Sequence, residues 1–154
     1  DADCISLWKE IKNLKKSNAV KPENIVFLGI RSYEDPEMHL IKSAGIKVIF
    51  AEDIHKNSIE WALNEIQMHF QNKAQEWYVS FDVDSMDPSV SIGTGTPVAG
   101  GLSKEQAQSV LEFFWNQDQT QLLEITEINP SLDTQKPMAE EVSDLLCGLL
   151  KAKG

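Results

Sequence analysis

Apolar residues along this chain fall into two patterns that alternate from one end to the other. Ile5, Leu7, Trp8, Ile11 and Leu14 recur at helical spacing, with Lys12, Lys15 and Lys16 outside the stripe, which predicts a helix over about 3–17. Asn24 to Ile30 is instead a continuous β-branched and aromatic run, the mark of a strand buried on both faces. Pro36 suits a first helical turn, where Glu34, Asp35 and Glu37 favour the positive end, and Gly45 is a natural C-cap. Ile46 to Phe50 reads as a second buried strand. A helix over about 57–72 follows, with Ile59, Ala62, Leu63, Ile66 and Phe70 on one face. Residues 76–82 form a third strand, 85–102 a glycine-rich loop, and Ser103 to Gln106 a capping box that opens a helix to about Asn116. Leu122 to Ile128 is a fourth strand, Asn129 to Pro137 a loop, and Met138 to Leu150 a terminal helix.

Helices between short buried strands imply βαβ crossovers, and hence an α/β domain, or part of one, whose parallel sheet is covered on both sides. The chain lacks an initiator Met and enters a helical pattern at once, as expected of a processed, excised or partial chain. Composition changes this picture little: 154 residues with 42% apolar content are enough for a real core. Charge says more. A net charge of −10 with Arg31 as the sole arginine argues against nucleic acid or an anionic membrane as partner. No apolar run approaches the ~20 residues of a membrane span. Cys4 and Cys147 are expected to be two buried thiols in a reducing, cytoplasmic setting, with a disulfide between them as the alternative.

In such sheets ligands bind outside the carboxyl ends of the strands. Three of those ends are polar here: Gly29–Asp35, Asp82–Pro88 with the loop Gly93–Pro97 behind it, and Glu124–Pro130. Asp82 and Asp84 would share one strand face, since alternate residues do. Two converging carboxylates are costly without a positive partner, and a hard divalent cation suits them, although capping a turn is an equally open role. Asp87 before Pro88 reads as a turn-former that accepts backbone hydrogen bonds. Arg31 is expected to neutralise nearby acids. His39, His55 and His69 have no metal-pair spacing and read as surface or structural residues.

Taken together, Ser80-Phe-Asp-Val-Asp-Ser-Met-Asp-Pro88, Gly93-Thr-Gly-Thr-Pro-Val-Ala-Gly-Gly101 and Glu127-Ile-Asn-Pro130 resemble the C-terminal half of the ureohydrolase superfamily, most closely the arginases. The resemblance runs from Asn24 to the end. It implies a three-layer α-β-α fold with a mainly parallel sheet, present as a partial domain over residues 1–154. It further implies a binuclear Mn2+ centre that hydrolyses a guanidinium to urea and an amine, in a trimer or hexamer. By the same resemblance Asp84 holds one ion and Asp82 bridges both, Glu127 grips the guanidinium, and Thr96 lies beside the urea end. Glu34 and Glu37 match the acids that read a substrate α-amino group, with Glu34 standing where arginases usually carry Asp. Arginine is the substrate this implies, with agmatinase or formimidoylglutamase chemistry, or a non-catalytic fragment acting by association, as alternatives. The family's Gly-Gly-Asp-His and Asp-Ala-His-x-Asp blocks, which carry its remaining ligands, do not occur in these 154 residues.

Overall fold

The computed structural model describes Ser6, Lys9, Glu10, Asn13 and residues 20–71, 73, 76–90, 93–133 and 137–152. Most of the helix expected over 3–17, and Cys4, lie outside the described residues; Ser6, Lys9, Glu10 and Asn13 are helical. A 3-10 turn at Pro22–Asn24 leads into β1 (Val26–Ile30), so the first strand begins two residues later than its apolar run. Next come α1 (Asp35–Ala44), β2 (Lys47–Phe50), α2 (Ala51–Lys56), α3 (Ile59–Phe70) and β3 (Trp77–Asp82). The chain closes with α4 (Lys104–Trp115), β4 (Thr120–Thr126) and α5 (Pro137–Ala152).

The helix boundaries follow from local chemistry. The Glu37 carboxylate accepts a hydrogen bond from the Glu34 amide at 2.9 Å, which starts α1, and Gly45 ends it in the left-handed region at φ 73°. At α4, Ser103 Oγ accepts from the Gln106 amide at 3.2 Å while Gln106 Oε1 accepts from the Ser103 amide at 2.9 Å. The helix expected over about 57–72 is present as α3, and α2, which no expectation covered, precedes it. α2 starts directly from Phe50, with Asp53 accepting the Phe50 amide at 3.3 Å, and Ser58 then caps α3 through the Trp61 amide at 3.2 Å. No glycine or proline announces that strand-to-helix junction, so a pattern reading runs past it.

β1 pairs in parallel with β2, and β3 with β4; among the described residues these are two separate two-stranded sheets. Along β3 the inward residues Trp77, Val79 and Phe81 alternate with the exposed Tyr78, Ser80 and Asp82. The inward row meets α3 and α4, whose buried residues recur at helical spacing: Ile59, Ala62, Leu63 and Ile66 on one, Ala107, Val110, Leu111 and Phe114 on the other. Phe70, Trp77, Phe113 and Phe114 stack into an aromatic cluster at the amino end of β3.

Two expectations about burial fail. β3 and β4 are covered on one face only, and Tyr78 and Leu122 remain 60% and 56% exposed on the other. Cys147 is an exposed free thiol rather than a buried one, because the buried stripe of α5 runs through Met138, Val142, Leu145 and Leu149 and leaves position 147 outside it. No helix among the described residues is long and apolar enough to cross a membrane.

Candidate active site

The carboxyl ends of β1, β3 and β4 carry the candidate chemistry. β3 stops at Asp82, and Val83–Ser85 forms a 3-10 turn. Asp82 and Asp84 therefore do not share a strand face, contrary to expectation. The two carboxylates are brought together by a turn: Asp82 Oδ1 accepts the Asp84 amide at 2.8 Å, and the Ser85 hydroxyl donates to the Asp82 carbonyl at 2.6 Å. Asp82 thus caps a turn while its second oxygen is left for another partner. Burial raises the Asp82 pKa, the neighbouring Asp84 and Glu127 push the same way, and the Asp84 amide and Arg31 oppose them.

Asp84 is half-buried. Thr96 Oγ1 donates to its Oδ2, and its Oδ1 is buried with no hydrogen-bond partner among the described residues. A buried carboxylate oxygen without a donor costs about 1–3 kcal/mol, more when charged, so such a group is retained for a reason other than stability. Cation ligation fits that oxygen, and oxygen ligands of this kind suit hard divalent ions. No group of three or more His, Cys, Asp or Glu side chains among the described residues is arranged to hold a metal. The pair fits a divalent ion as part of a ligand set.

Arg31 does something the sequence did not suggest. Its guanidinium donates to backbone carbonyls, and among the described residues it joins no carboxylate in an ion pair. Nε and Nη2 reach the Val98 carbonyl at 2.9 and 2.7 Å, and Nη2 reaches those of Asp84 at 2.6 Å and Met86 at 3.2 Å. One side chain from the end of β1 therefore fastens the Asp82–Met86 turn to the loop that carries Thr96. Its charge also acts on Asp82, where it opposes the burial that raises that carboxyl's pKa, so the expected neutralising effect accompanies the backbone contacts.

The glycine-rich loop is held from several sides. Asp87 fulfils its expected role: Oδ1 accepts the Ser89 amide at 2.9 Å, and Oδ2 accepts the Gly100 and Gly101 amides at 2.8 and 3.2 Å. The Ser89 hydroxyl and amide, with those two glycine amides, lower the Asp87 pKa from 3.8 to about 2. A carboxyl depressed on folding contributes stability above its unfolded pKa and loses it as pH falls through its folded one. Asp87→Asn is expected to flatten the loss of stability between about pH 4 and pH 2, measured by denaturant midpoints across that window. Gly101 packs against backbone: a Cβ there would lie 2.5 Å from the Met86 carbonyl carbon and 2.6 Å from the Asp87 nitrogen. Gly101→Ala is expected to cost about 1–3 kcal/mol in a denaturation midpoint, because the obstacle cannot swing aside. Thr94, within the Gly93–Pro97 block but given no role there, is buried.

Glu127, just past β4, has φ 64°, the one positive φ on a non-glycine among the described residues. Strain of that kind collects at functional positions, where surrounding structure fixes a side chain's direction. The Asn129 amide bonds the Gly93 carbonyl at 2.9 Å, which ties the Glu127 segment to the glycine-rich loop. Arg31, Asp82, Asp84 and Thr96 line one cleft, and Glu127 acts on Asp82 electrostatically. Glu34 and Glu37 lie apart from that cleft, exposed at the start of α1, where Glu37 caps the helix. His55 and His69 donate to the carbonyls of Gly100 and Glu23 at 3.0 and 2.9 Å, and His39 is exposed; none of the three meets another as a metal pair among the described residues.

This architecture has known counterparts. The family model for the Arginase family matches residues 9–150. Arginase from Staphylococcus aureus (strain COL) is 34% identical over 139 residues, which cover 90% of this chain and 46% of that protein. The native structure of the Bacillus caldovelox arginase superposes with TM-score 0.79 at 28% identity, covering 84% of this chain and 44% of its own. An Entamoeba histolytica arginase in complex with L-ornithine gives TM-score 0.80 at 26% identity, covering 86% and 44%. The chain spans about half the length of the curated relatives it matches. With a family match over nearly its whole length, and the same fold in solved arginases, this chain belongs to the arginase family.

Proposed function

We propose that residues 1–154 supply part of the active site of a manganese-dependent amidinohydrolase that converts L-arginine to L-ornithine and urea. The observation that carries this reading is the buried, unpartnered Oδ1 of Asp84 beside Asp82. Two divalent ions, held in part by those carboxylates, supply Lewis acidity at neutral pH when bound. Thr96 orients Asp84 through its hydroxyl, and Arg31 fixes the turn that carries both acids. Glu127, aimed by its left-handed backbone, accepts two charge-assisted hydrogen bonds from a planar guanidinium. Glu34 and Glu37, at the same end of the sheet, read the substrate α-amino group. That favours arginine over agmatine, which has no amino-acid head. The ornithine bound to the Entamoeba relative is consistent with this choice.

The described residues contain no third side chain placed with the acids to complete a metal cluster, so the rest of the ligand set comes from elsewhere in the assembled enzyme. Two measurements test the reading. Polypeptide uniting residues 1–154 with the other half of the fold should release urea from arginine faster than from agmatine, and only with Mn2+. Preference for agmatine, or formamide release from formiminoglutamate, would move the substrate to a sister activity. Calorimetric titration of the 154-residue chain alone should show little Mn2+ uptake; tight binding of two ions would sink the idea that the site is shared.

A further inference from the structure

Three parts of the fold meet at Gly93. Its carbonyl accepts the Asn129 amide at 2.9 Å, two residues past Glu127, and Asn129 closes a turn by accepting the Ser131 and Leu132 amides. Its α-carbon faces the start of α5: a Cβ there would lie 2.8 Å from the Met138 Cβ and 2.9 Å from the Asp133 Cβ and Cγ. From Gly93 the chain runs on to Thr96, whose hydroxyl donates to Asp84. Asp133 completes the junction. Its Oδ2 accepts the Met138 and Ala139 amides at 2.9 and 3.3 Å, as a capping side chain does at a helix start. Its Oδ1 is buried and has no hydrogen-bond partner among the described residues, and the same holds for Thr94 Oγ1, whose residue is 3% exposed. A cap needs neither the contact with Gly93 nor a bare buried oxygen, whose desolvation is unfavourable. Both features point to a second role for this side chain.

We propose that Asp133 is a positioning residue, which seats Gly93 against the first turn of α5 and so fixes the Glu127 strand end relative to Asp82 and Asp84. The route is short. Asp87 and Arg31 hold the far end of the glycine-rich loop, at Gly100 and Val98. Asp133 and Met138 close on its near end at Gly93, and the Gly93 carbonyl passes that position to Asn129 and hence to Glu127. Asp133 makes no hydrogen bond to Asp82, Asp84 or Glu127 among the described residues, so its influence runs through Gly93. Without the seat, Gly93 gains room to move and carries the Asn129 amide with it. Glu127 stands in the left-handed region at φ 64°, a conformation that persists only while its surroundings enforce it. The effect of this geometry on turnover rests on the function proposed above; the seat itself does not.

Two readouts separate the seat from a merely stabilising cap. In the 154-residue chain, with neither metal nor substrate, Asp133→Ala should speed amide exchange at 93–97 and 127–132 by roughly tenfold relative to β3. Asp133→Asn keeps the shape and an oxygen for both amides, and should stay near the parent. Leu149→Ala, a truncation in the buried stripe of α5 away from Gly93, should loosen α5 without that local rise. In the assembled enzyme Asp133→Ala should lower kcat roughly tenfold or more and leave Mn2+ affinity and KM little changed, since a shift of about 1 Å in a reacting geometry is enough for that. Asp133→Asn should restore the rate. Gly93→Ala should do as Asp133→Ala does, and the double variant should lose no more than the worse single one, because both act at one contact. The exchange readout judges the seat whichever guanidinium the enzyme takes. Exchange at 93–97 and 127–132 that rises no more in Asp133→Ala than in Leu149→Ala would overturn the proposal. So would additive losses from the two positions, or an Asn variant as defective as the Ala one.

Discussion

Asp84→Asn is expected to abolish most urea release from the assembled enzyme and leave the fold at least as stable as before. The two effects have one cause. Asp84 Oδ1 is buried without a donor, so removing its charge relieves a desolvation cost, and the Asn amide oxygen can still accept from Thr96. An amide is a much poorer ligand for a hard cation, and the Lewis-acid contribution to such a reaction is several kcal/mol, or roughly a hundredfold to ten-thousandfold in rate. Steady-state urea release, Mn2+ affinity and the denaturant midpoint measured on one protein separate the two. Unchanged activity, or a loss of stability as large as that from a core truncation, would show that the Asp84 carboxylate serves the fold instead. Asp82→Asn should fall between the extremes, since Asp82 also holds the Asp84 amide, a bond an Asn side chain can keep.

Arg31→Met is expected to damage both fold and site. Four carbonyls, those of Asp84, Ser85, Met86 and Val98, would each lose a charged donor. Hydrogen bonds to charged groups contribute about 1.5–3 kcal/mol each; because these groups are only half-buried and water can replace part of the loss, a total near 3 kcal/mol is expected. Arg31→Lys keeps the charge but offers a point donor in place of a planar fork, so it cannot hold two chain segments at once. It should recover part of the stability and less of the activity. Hydrogen exchange in the Asp84–Met86 turn and around Val98 reads the mechanism directly. Protection there that survives Arg31→Met would rule out the guanidinium as the fastener.

Much of the fold was legible because it depends on near neighbours. The capping box at Ser103–Gln106, the Gly45 terminus and the apolar stripes of α3, α4 and α5 each involve residues a turn or two apart. The α2 helix escaped because Phe50 passes from strand to helix with no breaker between. The exposed Tyr78 and Leu122 contradicted a run that reads as buried, because composition tells how apolar a strand is and not what lies against each face. Cys147 failed for a related reason: its place on the helix wheel, and not the apolarity around it, decides exposure.

Of the candidate site, the pattern of acids at strand ends singled out Asp82, Asp84 and Glu127, while Thr96, Glu34 and Glu37 came only from the family resemblance. Only the tertiary structure decided how they stand. It put Asp84 on a turn instead of a strand and left one of its oxygens bare. It set Glu127 in the left-handed region, and it left Glu34 and Glu37 outside the cleft. It also made Arg31 a clasp as well as a counter-charge, through contacts between residues 53 and 67 positions apart. Periodicity carries no information across such separations. Which carbonyl meets a guanidinium is fixed when the chain closes on itself and side chains compete for the same space.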